Sequence, residues 1–144
     1  MKTFTGLFAL LMVIGICTTH AQEAERIKEM LNKTYVEGIH NFGNIDDIRN
    51  GFHPAFEMII LRDGVISKLS INDWIERIEA NRQRNPNPPA ERTTARYLSV
   101  DVTNDVASVK LELHRGGNLI FTDYFFLYKI EDEWKILSKV YHAH

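Results

Sequence analysis

Between Phe121 and Tyr128 the chain runs Phe-Thr-Asp-Tyr-Phe-Phe-Leu-Tyr, a strand-like stretch with one carboxylate, Asp123, among apolar and aromatic neighbours on both faces. An acid in that setting is opened by a cavity, paired, or protonated, because burying a bare carboxylate is too costly. Asp123 is thus the candidate floor of a pocket and, if the pocket does chemistry, a candidate general acid. His53, just before Pro54, is the second titratable candidate. Its imidazole either exchanges protons near neutrality or caps the helix-to-strand turn. On the last strand His142 shares parity with Ile136, Ser138 and Val140, which directs Ser138 and His142 toward one interior. Tyr35, in the first amphipathic segment, offers a phenol that either packs or ties Asp123 to that segment.

Other chemistries find little support. The tightest pair of metal-type ligands is His142 and His144 at the chain end, so no metal site is expected. No phosphate loop, dinucleotide fingerprint or Gly-x-Ser-x-Gly elbow is present, and no cofactor is expected. Gly116-Gly117 reads as a hairpin turn. Lys and Arg number 17 against 19 Asp and Glu, scattered without a basic stripe, which argues against a nucleic-acid partner. The densest basic cluster, Arg82-Gln83-Arg84, reads as the solvated end of a helix.

These candidates need elements to hold them. Ile27, Met30, Leu31, Tyr35, Ile39 and Phe42 recur at the spacing of one helical face, ended by Gly43. Asn44 opens a short second helix through Ile45 and Ile48. Phe56 to Leu61 and Val65 to Leu69 flank Asp63-Gly64 as a hairpin, with Phe56, Met58 and Ile60 on its inward parity. Ser70 with Asp73 caps a third helix bearing Ile71, Trp74, Ile75 and Ile78. The proline-rich 85–89 connector is too short to separate domains. Four long strands then follow, turning at Asn104-Asp105, Arg115 to Asn118 and Glu131 to Glu133. The fold class is α+β, three N-terminal helices with an interposed hairpin packed on a curved antiparallel sheet.

The N-terminus bears on location. Lys2, an apolar run from Phe4 to Cys17 and Thr19-His20-Ala21 have the layout of a secretory signal peptide over residues 1–21, cut before Gln22. The run is too short for a permanent span, so no membrane span is expected in the mature chain. A lipid-anchored reading would use Cys17, but Ile16 precedes it where a small side chain is wanted. Residues 22–144 then make one domain, secreted or periplasmic, without cysteine and therefore held by its core alone.

Tyr35-Val36-Glu37-Gly38, the Phe42 to Ile48 step, Gly51-Phe52-His53-Pro54, Asp73-Trp74-Ile75, Phe121 to Tyr124 and Trp134-Lys135-Ile136 together resemble the nuclear-transport-factor-2-like superfamily. They are most similar to its secreted bacterial branch called putative lumazine-binding, over essentially residues 24–142. The resemblance implies a cone-shaped α+β barrel with a pocket at its wide end. It implies no reaction, since this fold hosts isomerases, cyclases, dehydratases and plain binders. Against the ketosteroid isomerases of the superfamily, Tyr35 and Asp123 fall on the paired hydrogen-bond donors, whereas the base position falls on Ile60, which takes no proton. Lumazines are flat heterocycles, and Tyr35, Phe56, Trp74 and Phe125 are the aromatic candidates to contact one.

Three readings stay open. The first is an exported small-molecule binder whose site draws on Tyr35, His53, Phe56, Met58, Ile60, Trp74, Asp123, Phe125, Ser138 and His142. The second is an isomerase-, cyclase- or dehydratase-type enzyme with Asp123 or His53 as general acid. The third, compatible with both, is a homodimer through the sheet face that bears Lys110, Glu112 and His114.

Overall fold

The computed structural model describes residues 19–144, so the apolar run from Phe4 to Cys17 lies outside the described residues. Among the described residues no helix is long and apolar enough to cross a membrane. Helix α1, His20–Leu31, is opened by a capping box between Thr19 and Gln22. The cut expected before Gln22 falls inside its first turn. Without a break the helix widens into a π-helical segment, Asn32–His40, so the single helix expected from periodicity is two helical geometries in series. Ile27, Leu31 and Tyr35 are fully buried along it.

Phe42 ends this segment with φ 61°, a left-handed conformation uncommon for a bulky residue. Gly43 follows, and a Cβ there would sit 2.8 Å from the Glu37 carbonyl oxygen, which is why the chain can turn at this point only with glycine. Asn44 caps α2, Ile45–Gly51. The hairpin comprises β1, Phe52–Arg62, and β2, Val65–Ser70. Asp63 and Gly64 both take positive φ in its turn. Ser70 then caps α3, Ile71–Arg84, by accepting from the Asp73 amide. Strands β3, Thr93–Thr103, β4, Val106–Arg115, β5, Asn118–Ile130, and β6, Glu133–Ala143, complete the chain.

The six strands form one sheet in the order β2-β1-β6-β5-β4-β3. Every join is antiparallel except β1 with β6, which is parallel and fastens the hairpin to the end of the meander. The helices cover one face, and the core lies between them and the sheet. Three of the long strands carry an extra residue in their pairing. Leu98 is the extra residue in β3, Ile120 in β5, and Leu137 in β6, where Phe126 pairs with Ser138 but Leu127 with Ile136. Each bulge reverses the facing of the residues beyond it.

Candidate functional site

Asp123 is fully buried, and of the options open to such an acid the fold uses pairing. The Tyr35 hydroxyl donates to Oδ2 at 2.8 Å, and the Lys139 ammonium lies 2.8 Å from Oδ1 as an ion pair. Lys139 is itself only 4% exposed. Its Nζ sits 4.5 Å from the Tyr141 ring centre, 5.0 Å from that of Tyr35 and 5.7 Å from that of Trp74. An aromatic surround of this kind offsets part of the cost of desolvating a cation. Burial holds the Lys139 ammonium below its ordinary pKa, opposed by Asp123. Burial also drives the Tyr35 phenol well above its ordinary range, and the neighbouring Asp123 charge adds to that.

Chemically the three groups satisfy one another. The Tyr35 proton is committed to Asp123, and Asp123 is committed to Lys139, so neither donor position of the isomerase-like register is open to a ligand in this geometry.

In front of Trp74 and Tyr141 lies a cavity of about 350 Å³ between the hairpin, α3 and the end of the π-helical segment. Its apolar wall is formed by Met58, Ile60, Leu69, Trp74, Ile78 and Tyr141. The polar part of its lining is Arg62, Arg77, Asn81 and Arg82, with Phe42 beside them. Arg82 donates to the carbonyl oxygens of Gly43, at 2.8 Å, and Gly38, and its guanidinium lies 5.0 Å from the Phe42 ring centre. Its Nε is buried with no hydrogen-bond partner. Burial holds the Arg82 guanidinium below its ordinary pKa, against the nearby Glu79.

Of the sequence candidates, Met58, Ile60 and Trp74 meet in this cavity. Phe56 and Phe125 stand behind it in the core, Phe56 stacked 6.0 Å from Trp74 and Phe125 edge-on to Tyr35 at 5.0 Å. His53 accepts from the Ala55 amide at 3.1 Å through Nδ1, the turn-capping alternative for this residue. Ser138 and His142 are corrected. The Leu137 bulge turns them to the outer face, opposite Phe126 and Thr122, and brings Lys139 and Tyr141 inward instead. Arg82 is corrected as well, from a solvated helix end to a half-buried clamp on two backbone carbonyls.

Lys139, Tyr141 and the arginines are the residues that sequence reasoning missed. A signal existed for one of them: Trp74, Ile78 and Arg82 stand at i, i+4 and i+8 on one face of α3. His40 was also missed. Its Nε2 is buried without a partner, its ring meets Tyr35 edge-on at 4.8 Å, and burial, then the charges of Lys139 and Arg115, lower its pKa to about 3.

A second recess, about 360 Å³, lies between α1, α2 and the β5–β6 turn. Its charges are mixed, and two pairs form within the lining, Lys33 at 2.9 Å from Asp47 and Lys135 at 2.6 Å from Glu133, as expected of a solvated cleft. No group of three His, Cys, Asp or Glu side chains that could hold a metal comes together among the described residues.

A curved sheet wrapped on a long N-terminal helix, with an open cavity bounded by the hairpin and the third helix, defines the nuclear-transport-factor-2-like class. Solved structures agree. An NTF2-like protein of unknown function from Shewanella baltica OS155 is 25% identical, with a TM-score of 0.70 over 89% of this chain and 98% of that one. One from Silicibacter pomeroyi DSS-3 is 22% identical, with a TM-score of 0.71 over 88% and 100%. One from Methylobacillus flagellatus KT is 22% identical, with a TM-score of 0.64 over 88% and 96%. Within the class, the family model described as putative lumazine-binding matches residues 22–142, and the chain belongs to that family. No curated protein matches it.

Proposed function

We propose that residues 22–144 form an exported domain that binds a flat, mainly apolar small molecule without turning it over. The observation that carries this reading is the cavity of about 350 Å³ walled by Met58, Ile60, Trp74 and Tyr141. Its size is that of small-molecule sites, and its lining joins an apolar wall to a group of polar side chains. Trp74 and Tyr141 present ring surface to a planar ligand, while Tyr35 and Asp123 act from behind them by holding Lys139 and the surrounding rings in place. Against turnover stands the lack of a base at Ile60, together with the mutual engagement of Tyr35, Asp123 and Lys139.

Native mass spectrometry of protein taken from its own host tests this. A bound mass that is lost on denaturation, and absent from an Ile60→Trp variant that fills the cavity but keeps the wild-type circular dichroism, is the expected result. Retention of the same ligand by Ile60→Trp would place the site elsewhere.

A second reading, compatible with the first, is self-association through the outer sheet face. There Tyr124, Phe126, Tyr128 and Val140 are 40%, 57%, 46% and 40% exposed, beside Lys110, Glu112 and His114. An apolar strip of this kind is typical of interaction surfaces.

A further inference from the structure

The charged residues that line the cavity are all of one sign. Its basic lining residues, Arg62, Arg77 and Arg82, face no Asp or Glu within the lining, although the protein as a whole is net negative at −2. Arg62 and Arg77 are exposed and make no ion pair among the described residues, whereas most other cations are matched. The acid whose charge acts on Arg82 is Glu79, and it is already engaged by Arg49 at 3.3 Å. Lys139, behind Trp74 and Tyr141, is matched by Asp123 and adds no net charge to the floor.

Arg82 carries the second observation. Two of its terminal N–H groups are spent on the carbonyls of Gly43 and Gly38, yet its Nε–H is buried with no acceptor. That Nε–H has no open surface and does not itself meet a ligand; what the residue offers the cavity is its guanidinium charge, a group suited to a carboxylate, sulfonate or phosphate. The residue is held rigidly by those two carbonyls and by the ring of Phe42, whose own backbone is in the left-handed region. A cation fixed in this way attracts an anion with little loss of side-chain freedom.

We propose that the ligand of this cavity is an amphipathic anion, with a flat apolar body against Ile60, Trp74 and Tyr141 and one acidic group toward Arg62, Arg77 and Arg82. This rests on the small-molecule reading above and narrows it to a charge class. A neutral ligand of the same shape leaves three cations without a partner. A cationic one is repelled by them.

Two fluorescent probes with the same aromatic frame separate the two claims: 1-anilinonaphthalene-8-sulfonate, which is anionic, and N-phenyl-1-naphthylamine, which is neutral. Both are titrated against the mature protein at low and at physiological salt. The sulfonate is expected to bind at least about tenfold more tightly at low salt, with the margin narrowing as salt screens the exposed arginines. An Arg62→Gln, Arg77→Gln double variant should lose most of that margin, read as the ratio of the two probes' affinities for the same variant. Arg82→Gln also removes the ties to Gly38 and Gly43, so Arg82→Lys, which keeps the charge, is run beside it with near-ultraviolet circular dichroism as the check on folding. Equal affinity of the two probes would overturn the anion class and leave the binding reading standing. No binding of either probe, or binding unaffected by Ile60→Trp, would overturn the binding reading and this inference together.

Discussion

Lys139→Met puts the buried ion pair to its hardest test. At 2.8 Å the two charges attract by about 6 kcal/mol at an effective dielectric constant of ~20, against several kcal/mol to desolvate each ion. The net worth of the pair is therefore small, but the worth of its halves is not. Methionine fills the same aromatic surround and leaves Asp123 with the Tyr35 hydroxyl as its one remaining partner. The expected loss is about 3–5 kcal/mol at pH 8, a large part of the ~5–15 kcal/mol that holds a typical domain together. The stranded carboxylate binds a proton on folding that the unfolded chain does not hold near neutrality. Stability of the variant should accordingly fall as pH rises, by up to ~1.4 kcal/mol per unit, and the deficit should be smallest near pH 5. Adding Asp123→Asn should recover most of the loss, since the neutral pair no longer buries a bare charge. Urea unfolding followed by tryptophan fluorescence between pH 5 and 8 measures all three proteins. A Lys139→Met protein within about 1 kcal/mol of wild type at pH 8, or one whose deficit does not change with pH, would refute the pairing as the reason Asp123 is tolerated.

Further outcomes concern other parts of the molecule. His40 is held neutral with a pKa of about 3, whereas the unfolded chain protonates near 6.5. Its contribution to stability is therefore whole above pH 6.5 and is lost as pH falls toward 3, so wild type should lose about 1–2 kcal/mol more than His40→Phe between pH 7 and pH 5 in urea melts. A variant that loses as much as wild type would exclude His40 as the cause. Phe126→Lys, on the exposed outer strip, should turn a dimer into a monomer in sedimentation equilibrium, and a wild type that is already monomeric would end the sheet-face reading. Intact mass of protein recovered outside the cytoplasm should begin at or near Gln22, and a species still carrying Met1 to Ala21 would rule out the leader.

Much of the frame was legible because local signals and tertiary packing agree there. Ser70 caps α3, Asn44 caps α2, and Asp63-Gly64 turns the hairpin, each a short-range device whose chemistry is complete within four residues. The buried positions Ile27, Leu31 and Tyr35 follow the helical period expected of them. What periodicity could not show is the change from α to π geometry at Asn32, because in both helices residues four apart lie close to one face. The parallel join of β1 with β6 was equally hidden. It links residues some 80 positions apart and leaves no local trace.

The facing of the last strand was the part of the candidate site that the sequence misplaced, and one residue explains the error. Strict alternation from Trp134 and Ile136 sends Ser138, Val140 and His142 inward, so Lys139 looks like an ordinary solvated lysine. Leu137 adds one residue to β6, and beyond it every side chain changes face. Phe125 and Asp123 on β5 then stand opposite Lys139 and Tyr141. The partner that Asp123 requires was thus one strand away, concealed by a single insertion in the pairing. The same bulge places Tyr141 at the cavity and Val140 on the outer strip, so it shapes the cavity wall and the exposed face at once. A buried acid in a sequence announces that a partner exists. Where that partner sits depends on register, which in a sheet whose pairing shifts in four of its joins is a property of the assembled strands rather than of any one of them.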